Sequence, residues 1–228
     1  MSKDEAKDYQ APALSVDMVL FQIIDRRLYV LLINRADAPF KGMWALPGGY
    51  NPKGETTTQA LERIVKQKAG IDITDLPVIE QLYAFDTVAR DPRGHCLSVT
   101  YLGLGLGIVP VGGKSTHQPQ FYPFDELPEM AFDHADIVRF ARERLIERLK
   151  ETSIVYGLLP NLFTMTLLQE AYEAVLNHPL DKRNFRKKFQ SLNLITPTDE
   201  FHQTGAHRPA RFYKFKSRKL VLLSKDFD

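Results

Sequence analysis

The chain has 228 residues, 44% of them hydrophobic and 25% charged, which is the composition of an ordinary globular protein with room for one large domain or two modest ones. Its single cysteine, Cys96, excludes an intrachain disulfide and favours a reducing compartment. The polar first ten residues lack the apolar core of a signal peptide, and no apolar run is long enough to span a membrane. We therefore expect a cytoplasmic protein without a membrane partner.

The net charge of +2 is unevenly distributed along the chain. Residues 1–150 carry 18 Lys and Arg against 20 Asp and Glu, whereas residues 181–219 carry 11 against 3. A basic block of this kind, confined to the last third of the chain, favours a polyanion as a partner.

The first part of the chain has the pattern of strands followed by a helix. Apolar runs bounded by turn residues predict four strands, at 16–24, 28–34, 78–88 and 96–106. The polar turn between the first two runs predicts either a β-hairpin or two successive strands. Residues 134–151 carry apolar side chains at helical spacing, which predicts an amphipathic helix that closes a first domain.

A loop and a helix are predicted between these two pairs of strands, in residues 49–71. The loop is rich in glycine and contains Pro52, and Thr56 offers a hydroxyl that caps a helix start. The stretch 59–69 has no Gly or Pro, and Gly70 stands where a helix C-terminus favours a left-handed residue.

The pattern changes beyond the segment 152–160, where Gly157 and Pro160 interrupt helix and a domain boundary is expected. Thr164 and Asp181 are the predicted N-caps of two helices joined by a four-residue turn. These helices are predicted at 166–177 and 182–193. Two further strands, at 194–196 and 210–215, would complete a winged helix.

The second of these helices is amphipathic, with Phe185, Phe189 and Leu192 on its apolar side. Its polar side and flanks carry Lys182, Arg183, Asn184, Arg186, Lys187 and Lys188. Side chains of these types match base edges in the major groove and backbone phosphates. A basic amphipathic helix is more often only a solvated surface, so the prediction of DNA contact depends on the capped helix pair and the basic wing together.

Residues 49–71 resemble the Nudix box, the signature G-x5-E-x7-R-E-U-x-E-E-x-G-U in which U is apolar. The matching positions are Gly49, Glu55, Arg63, Val65, Gly70 and Ile71. The three remaining Glu positions hold Ile64, Gln67 and Lys68, which we expect to share one face of the helix. In the family this face binds magnesium, which requires oxygen ligands. We therefore expect a Nudix scaffold with no metal site and no catalytic residues, in which Lys68 either pairs with a ligand phosphate or is simply solvated.

The box and the basic helix in one chain resemble the Nudix-related transcriptional regulators of NAD metabolism. The resemblance implies an α/β (α+β) fold, with an N-terminal Nudix mixed sandwich in residues 11–152 and a C-terminal winged helix in residues 153–228. It implies a homodimeric repressor of NAD biosynthesis or salvage genes that binds double-stranded DNA at a palindromic operator. ADP-ribose or a related nucleotide would act as the effector that releases the DNA, and no cofactor is implied.

On the basis of these patterns and the resemblance, our hypothesis assigns roles to particular residues. The candidate effector contacts are Arg35, Trp44, Gly48, Gly49, Lys68, Arg90 and Arg93. The candidate DNA contacts are Lys182, Arg183, Asn184, Arg186, Lys187, Lys188, His207, Arg208 and Arg211. Structural alternatives stand beside them: Trp44 as a core or pocket-wall residue, and Arg90 and Arg93 as solvated loop residues.

Three other functions remain open at this stage. One alternative is an active Nudix ADP-ribose pyrophosphatase with an appended nucleic-acid-binding domain, since Glu55 and Glu62 are present. It could instead bind RNA, because basic winged helices also do so. The third alternative is an interaction module whose basic helix meets an acidic protein, which predicts no salt-dependent DNA affinity.

Overall fold

The computed structural model describes residues 10–112, 118–202 and 209–223, with the side chain of His202 excluded. Within this part, a seven-stranded mixed sheet is followed along the chain by a second, three-stranded sheet. The first sheet packs against helices and the second completes a winged helix. The predicted fold class is therefore confirmed.

The seven-stranded sheet is built around its first strand. Its strands are β1 (Ala13–Ile24), β2 (Arg27–Asn34), β3 (Trp44–Ala45), β4 (Gly48–Tyr50), β5 (Val78–Phe85), β6 (Cys96–Leu104) and β7 (Pro119–Pro123). β1 pairs antiparallel with β2 and β4 and parallel with β6, while β5 extends the sheet beyond β6. The predicted hairpin is confirmed: Ile24 pairs with Arg27, and the two turn residues between them have positive φ, as short hairpin turns require.

Two helices cover opposite faces of this sheet. They are α1 (Thr57–Ala69) and α2 (His134–Glu151). Because side chains alternate along a strand, Met18 and Leu20 of β1 belong to the core beneath α1, whereas Val19 and Phe21 belong to the core beneath α2. The bounds predicted for α2 agree with the structure.

The start and end of α1 follow the predicted capping chemistry. The Thr56 hydroxyl accepts a hydrogen bond from the Gln59 backbone, and the Gln59 side chain accepts one from the Thr56 backbone. This reciprocal pair is a capping box. At the other end, Gly70 adopts the left-handed conformation with φ of 67°.

The second unit contains two helices and three strands. They are β8 (Phe163–Thr164), α3 (Met165–Leu176), α4 (Lys182–Ser191), β9 (Ile195–His202) and β10 (Ala210–Phe215). β10 lies between β8 and β9 and pairs antiparallel with both. Thr164 and Asp181 cap α3 and α4 as predicted. The result is the helix pair and wing of a winged helix.

Some details differ from the sequence-based expectations. Leu167 of α3, an apolar residue that the helical repeat would count among the buried ones, is 37% exposed. The residues of this helix that are buried are Met165, Leu168, Gln169, Ala171, Tyr172 and Val175. The short strands β3, β4, β7 and β8 were not predicted, since two to five residues are too few to show a period of two.

The junction between the two units is a two-stranded connection. A short 3-10 helix, Ile154–Leu158, is fully buried there. Residues 221–223 return to the same place, where the Ser153 amide donates to the Val221 carbonyl at 2.9 Å and the Leu223 amide donates to the Glu151 carbonyl at 2.7 Å. Arg218 donates to three carbonyl oxygens of the segment 156–160. The predicted boundary between residues 152 and 153 falls inside this paired segment and stays a prediction.

Candidate ligand cleft and nucleic-acid interface

One polar cleft brings together six of the seven predicted effector contacts. These six residues are Arg35, Gly48, Gly49, Lys68, Arg90 and Arg93. The cleft encloses about 210 Å³ and lies beside β4, where the loop after β2, the loop before β6 and the start of α2 meet. The sequence separates these segments widely, and the sheet brings them to one edge.

The seventh predicted contact, Trp44, does not line this cleft. Its ring packs edge-on against the Tyr122 ring, with 4.7 Å between the ring centroids, and it is only partly buried. This packing agrees with the structural alternative for Trp44, and its role as an effector contact stays a prediction.

The three box positions that lack Glu, which helical spacing places on one side of α1, differ in how deeply they are buried. Ile64 is buried and reaches the backbone of Gly49, and Gln67 is exposed. Lys68 alone lines the cleft, where its Nζ donates to the Gly48 carbonyl oxygen. Burial lowers the pKa of Lys68, and the nearby carboxylate of Asp17 opposes this effect.

The residues of the box do not fit a magnesium site of the family type. The Glu55 carboxylate accepts two close hydrogen bonds from Arg63, at 2.9 and 2.8 Å, which lower the pKa of Glu55. Glu62 is exposed, and Lys68 brings a positive charge to the cleft. Within the described ranges, no cluster of three or more His, Cys, Asp and Glu side chains is suited to a metal ion. Hard cations need several oxygen ligands, which these side chains do not supply.

The arginines of the cleft are held by carboxylates and aromatic rings. Arg90 donates two hydrogen bonds to Asp133, at 2.8 and 2.7 Å, and its side chain is only 4% exposed. Arg93 is paired in the same way with Asp91, and this hydrogen bonding raises the pKa of Arg93.

Aromatic rings fix the positions of two of these cations more closely. The Arg93 guanidinium lies 5.0 Å from the centre of the Tyr50 ring, and the Arg35 guanidinium lies 4.7 Å from the centre of the Phe132 ring. Arg35 also donates to the Pro39 carbonyl oxygen at 2.9 Å. Arg35, Lys68 and Arg93 therefore present preorganised positive charge, which suits a ligand with phosphate groups.

The floor of the cleft is a buried polar network that the sequence analysis missed. Asp17 accepts a hydrogen bond from the Ser98 hydroxyl, and the Nε2 atom of His134 lies 3.7 Å from an Asp17 oxygen. The Leu46 amide donates to Nδ1 of His134 at 3.0 Å, so the neutral ring carries its proton on Nε2. An acid at position 17, inside an otherwise apolar predicted strand, was the available signal.

Position 48 requires glycine, because the Asp17 side chain lies close against the backbone there. Gly48 pairs with Asp17 across β1 and β4. A Cβ atom at Gly48 would lie 1.7 Å from the Asp17 carboxylate oxygen, whereas one at Gly49 would meet only the end of the Ile64 side chain at 3.2 Å. The first of these glycines therefore allows the carboxylate to lie beneath the cleft.

Helix α4 presents its charges in a different environment. Its buried stripe is Phe185, Phe189 and Leu192, as predicted. The Phe185 and Phe189 rings stack with 5.8 Å between centroids, and the Tyr172 ring of α3 packs edge-on against Phe185 at 5.3 Å. The apolar side of α4 is thus fixed against α3.

The predicted DNA contacts on α4 fall into two groups. Lys182, Arg183, Arg186 and Lys187 are exposed and line a shallow surface together with Gln190. Asn184 and Lys188 lie at the other edge of the helix, where they line a cavity between α4 and α2. The structure therefore gathers four of these six side chains on one surface.

The wing is described only in part. Arg211 is exposed on β10, where its Nε donates to the Thr198 carbonyl oxygen at 2.7 Å and its guanidinium lies 6.0 Å from the centre of the Phe201 ring. His207 and Arg208 lie outside the described residues. Of the predicted wing contacts, the structure therefore places Arg211 alone.

These features define a class of protein in which a Nudix fold with a charged cleft is joined to a winged helix with an exposed basic helix. No helix in the described part of the chain is long and apolar enough to cross a membrane. Comparison with known families agrees with both halves. Residues 12–141 match the NUDIX domain family, and residues 155–215 match the NrtR DNA-binding winged helix domain.

Individual relatives match over both halves. The chain is 31% identical to the ADPR responsive transcriptional repressor NtrR of Acinetobacter baylyi, and the match covers 94% of this chain and 86% of that protein. The crystal structure of Shewanella oneidensis NrtR complexed with a 27mer DNA is similar with a TM-score of 0.79 and 29% identity, over 94% of this chain and 99% of that one.

A second structure concerns the first half of the chain. The NUDIX domain of Shewanella oneidensis NrtR, complexed with ADP ribose, has a TM-score of 0.55 and 32% identity, over 64% of this chain and 99% of that one. The chain belongs to the NrtR family of Nudix-related transcriptional regulators.

Proposed function

We propose that the protein is a repressor that binds operator DNA of NAD biosynthesis or salvage genes through α4 and releases it when ADP-ribose or a related nucleotide occupies the cleft. The main support for this proposal is the exposed basic surface of α4, which is formed by Lys182, Arg183, Arg186 and Lys187. The apolar side of the same helix is fixed against α3. The relatives with bound DNA and with bound ADP ribose support the same assignment.

The cleft suits a ligand with a pyrophosphate group. Arg35, Lys68 and Arg93 supply positive charge in fixed positions around it. Release requires the ligand to prefer a geometry of the protein other than the one that fits DNA. We propose a homodimer, because two copies of α4 about 34 Å apart would enter successive major grooves of a palindromic operator.

We further propose that the protein binds ADP-ribose without hydrolysing it. This follows from the box, in which Ile64 is buried, Gln67 is exposed and Lys68 occupies the cleft. Incubation with ADP-ribose and magnesium should therefore release no AMP above a protein-free control. Magnesium-dependent AMP release would instead establish the active pyrophosphatase.

The decisive experiment is fluorescence anisotropy with labelled duplexes from upstream of NAD biosynthesis and salvage genes in the source genome. We expect salt-dependent binding stronger than to a random duplex of equal length, reversed by ADP-ribose in the presence of EDTA. If the protein binds no upstream duplex more strongly than the random duplex, the proposed binding to an operator is wrong. Stronger competition by duplex RNA of matched charge would favour an RNA-binding protein.

One variant and its control test the cleft separately from the DNA surface in this experiment. Lys68→Ala should retain DNA affinity but require roughly tenfold more ADP-ribose for release, which corresponds to the loss of one charge-assisted contact. Lys66→Ala is the matched control, because Lys66 lies on the same helix, is exposed and does not line the cleft. Equal release curves for both variants would exclude Lys68 as an effector contact.

A further inference from the structure

A second cavity lies between α2, α3 and α4 and encloses about 570 Å³. Its walls are apolar and consist of Ile146, Leu149, Tyr172, Leu176, Leu180 and Phe185. It differs in kind from the polar cleft beside β4, because side chains of three helices and one turn form a continuous hydrophobic lining. Cavities of this volume with mainly apolar walls are typical sites for small organic molecules.

The edge of this cavity carries positive charge. Lys150 and His178 are exposed and line its edge, and Lys188 lines it from α4. The one acidic residue of the lining, Asp181, already accepts a hydrogen bond from the Asn184 amide as the cap of α4. An apolar interior with lysines at its edge is complementary to a molecule with an apolar body and an anionic head.

The cavity also contacts the rear of the basic helix. Asn184, Phe185 and Lys188 line it, while Arg183 and Lys187 lie on the opposite, exposed surface of α4. Phe185 is held in place by the Tyr172 ring, whose centroid is 5.3 Å away. An occupant of the cavity would therefore touch α4 without competing for the surface assigned to DNA.

We propose that this cavity is a second ligand site, which binds a small organic anion with an apolar body, such as an alkyl carboxylate. The apolar body lies against Leu149, Leu176 and Phe185, and the carboxylate lies at the edge near Lys150. This site is distinct from the polar cleft in position and in the chemistry of its ligand.

Isothermal titration calorimetry of the full-length protein with decanoate tests the site. We expect one decanoate to bind per chain. Leu180→Trp, which fills the cavity from the turn before α4, should weaken binding at least tenfold, roughly the loss expected when a hydrophobic pocket no longer accepts its ligand. Leu167→Trp is the matched control, since Leu167 is exposed on α3 and does not line the cavity, and should leave the affinity unchanged.

The charge is tested separately. Lys150→Glu should weaken decanoate binding about threefold or more but leave decanol binding unchanged, because only the carboxylate interacts with the lysine. Lys66→Glu, a charge reversal on distant α1, should change neither. Circular dichroism of each variant confirms that folding is retained.

The proposal is overturned if wild-type protein gives no decanoate binding, or if Leu180→Trp and Leu167→Trp bind equally well. It is also overturned if sedimentation shows that Leu180→Trp or Lys150→Glu dissociates an oligomer, because a second copy of the chain would then cover the cavity. The titration uses neither DNA nor ADP-ribose, so its failure leaves the proposed regulatory function intact.

Discussion

The polar cleft and helix α4 both depend on Lys and Arg, but they hold these side chains in opposite ways. In the cleft, Arg90 is 4% exposed and bound to Asp133, and Arg93 is bound to Asp91. On α4, Arg183 and Lys187 are exposed, and neither forms an ion pair within the part of the chain that the structure describes. Fixed charges select a small ligand of defined shape, whereas exposed charges on a rigid helix suit a long polyanion.

The largest expected effect comes from a substitution that disrupts the fixed arrangement of side chains in the cleft. Gly48→Ala would place a Cβ atom 1.7 Å from the Asp17 carboxylate, so β4 or Asp17 must move. We expect a loss of about 3 kcal/mol in the free energy of unfolding, at the upper end of typical overpacking costs. Urea denaturation measures the loss, and calorimetry with ADP-ribose should show that binding is abolished.

Gly49→Ala is the matched control for this prediction. Its Cβ atom would meet only the end of the Ile64 side chain at 3.2 Å, a contact that a shift of a few tenths of an ångström relieves. We expect less than about 1 kcal/mol of destabilisation, since a flexible neighbour relieves the contact. Equal losses for the two variants would show that the approach of Asp17 is not the reason for glycine at position 48.

The second prediction concerns an exposed charge on α4, which should contribute to DNA binding but not to stability. Arg183→Ala should weaken operator binding by ~1–3 kcal/mol if the side chain reads a base, and should leave the free energy of unfolding unchanged. Anisotropy and urea denaturation measure the two quantities on one sample. Arg139→Ala, at an exposed arginine on α2 paired with Asp136, is the control and should change neither. A stability loss in Arg183→Ala would mean that this arginine is structural.

The third prediction concerns pH and the floor of the cleft. Burial lowers the pKa of His134 below its ordinary value of 6.5, although the carboxylates of Asp17 and Asp133 oppose this effect and Arg90 and Arg35 reinforce it. The unfolded chain therefore binds a proton that the folded chain excludes. Stability attributable to this group is present above pH 6.5 and is lost as the pH falls below it, with a slope of at most about 1.4 kcal/mol per pH unit.

Urea denaturation between pH 5 and 8 checks this slope. His134→Gln removes the titrating group but retains an acceptor for the Leu46 amide, so its pH dependence should be weaker. His178→Gln, which changes an exposed histidine, should retain the wild-type slope. Parallel pH profiles for all three proteins would show that His134 is not responsible.

The smallest expected effect concerns a carboxylate that the box retains. Glu55 accepts hydrogen bonds from Arg63 at the protein surface, so Glu55→Gln should change stability only slightly. ADP-ribose affinity measured by calorimetry with and without magnesium should be the same in the variant and the wild type. A magnesium-dependent affinity that Glu55→Gln abolishes would show that this carboxylate binds the ion after all.

The sequence sufficed for features that depend on local pattern. The caps Thr56, Thr164 and Asp181, the left-handed Gly70 and the apolar stripe of α4 are all determined by neighbouring residues, and the structure confirms them. The box mismatch was visible as well. What it did not show was how deeply each of the three side chains is buried, because burial depends on how α1 packs on the sheet.

The polar network at the floor of the cleft could not be predicted from the sequence, because it depends on tertiary packing. Asp17, Ser98 and His134 lie far apart in sequence and meet only through the parallel pairing of β1 with β6 and the packing of α2 on the sheet. The contact between the Trp44 and Tyr122 rings was equally hidden, because it depends on the pairing of strands that were too short to predict.

The pairing of residues 221–223 with the junction between the two units has a mechanical consequence. Residues 221–223 run back along residues 151–153, and Arg218 ties the same region to the carbonyls of the buried 3-10 helix. A ribbon of two strands resists torsion more than a single strand does. Rotation of the winged helix relative to the Nudix fold must therefore strain both strands together, and a chain shortened to residue 215 would retain the winged-helix strands while losing that torsional stiffness.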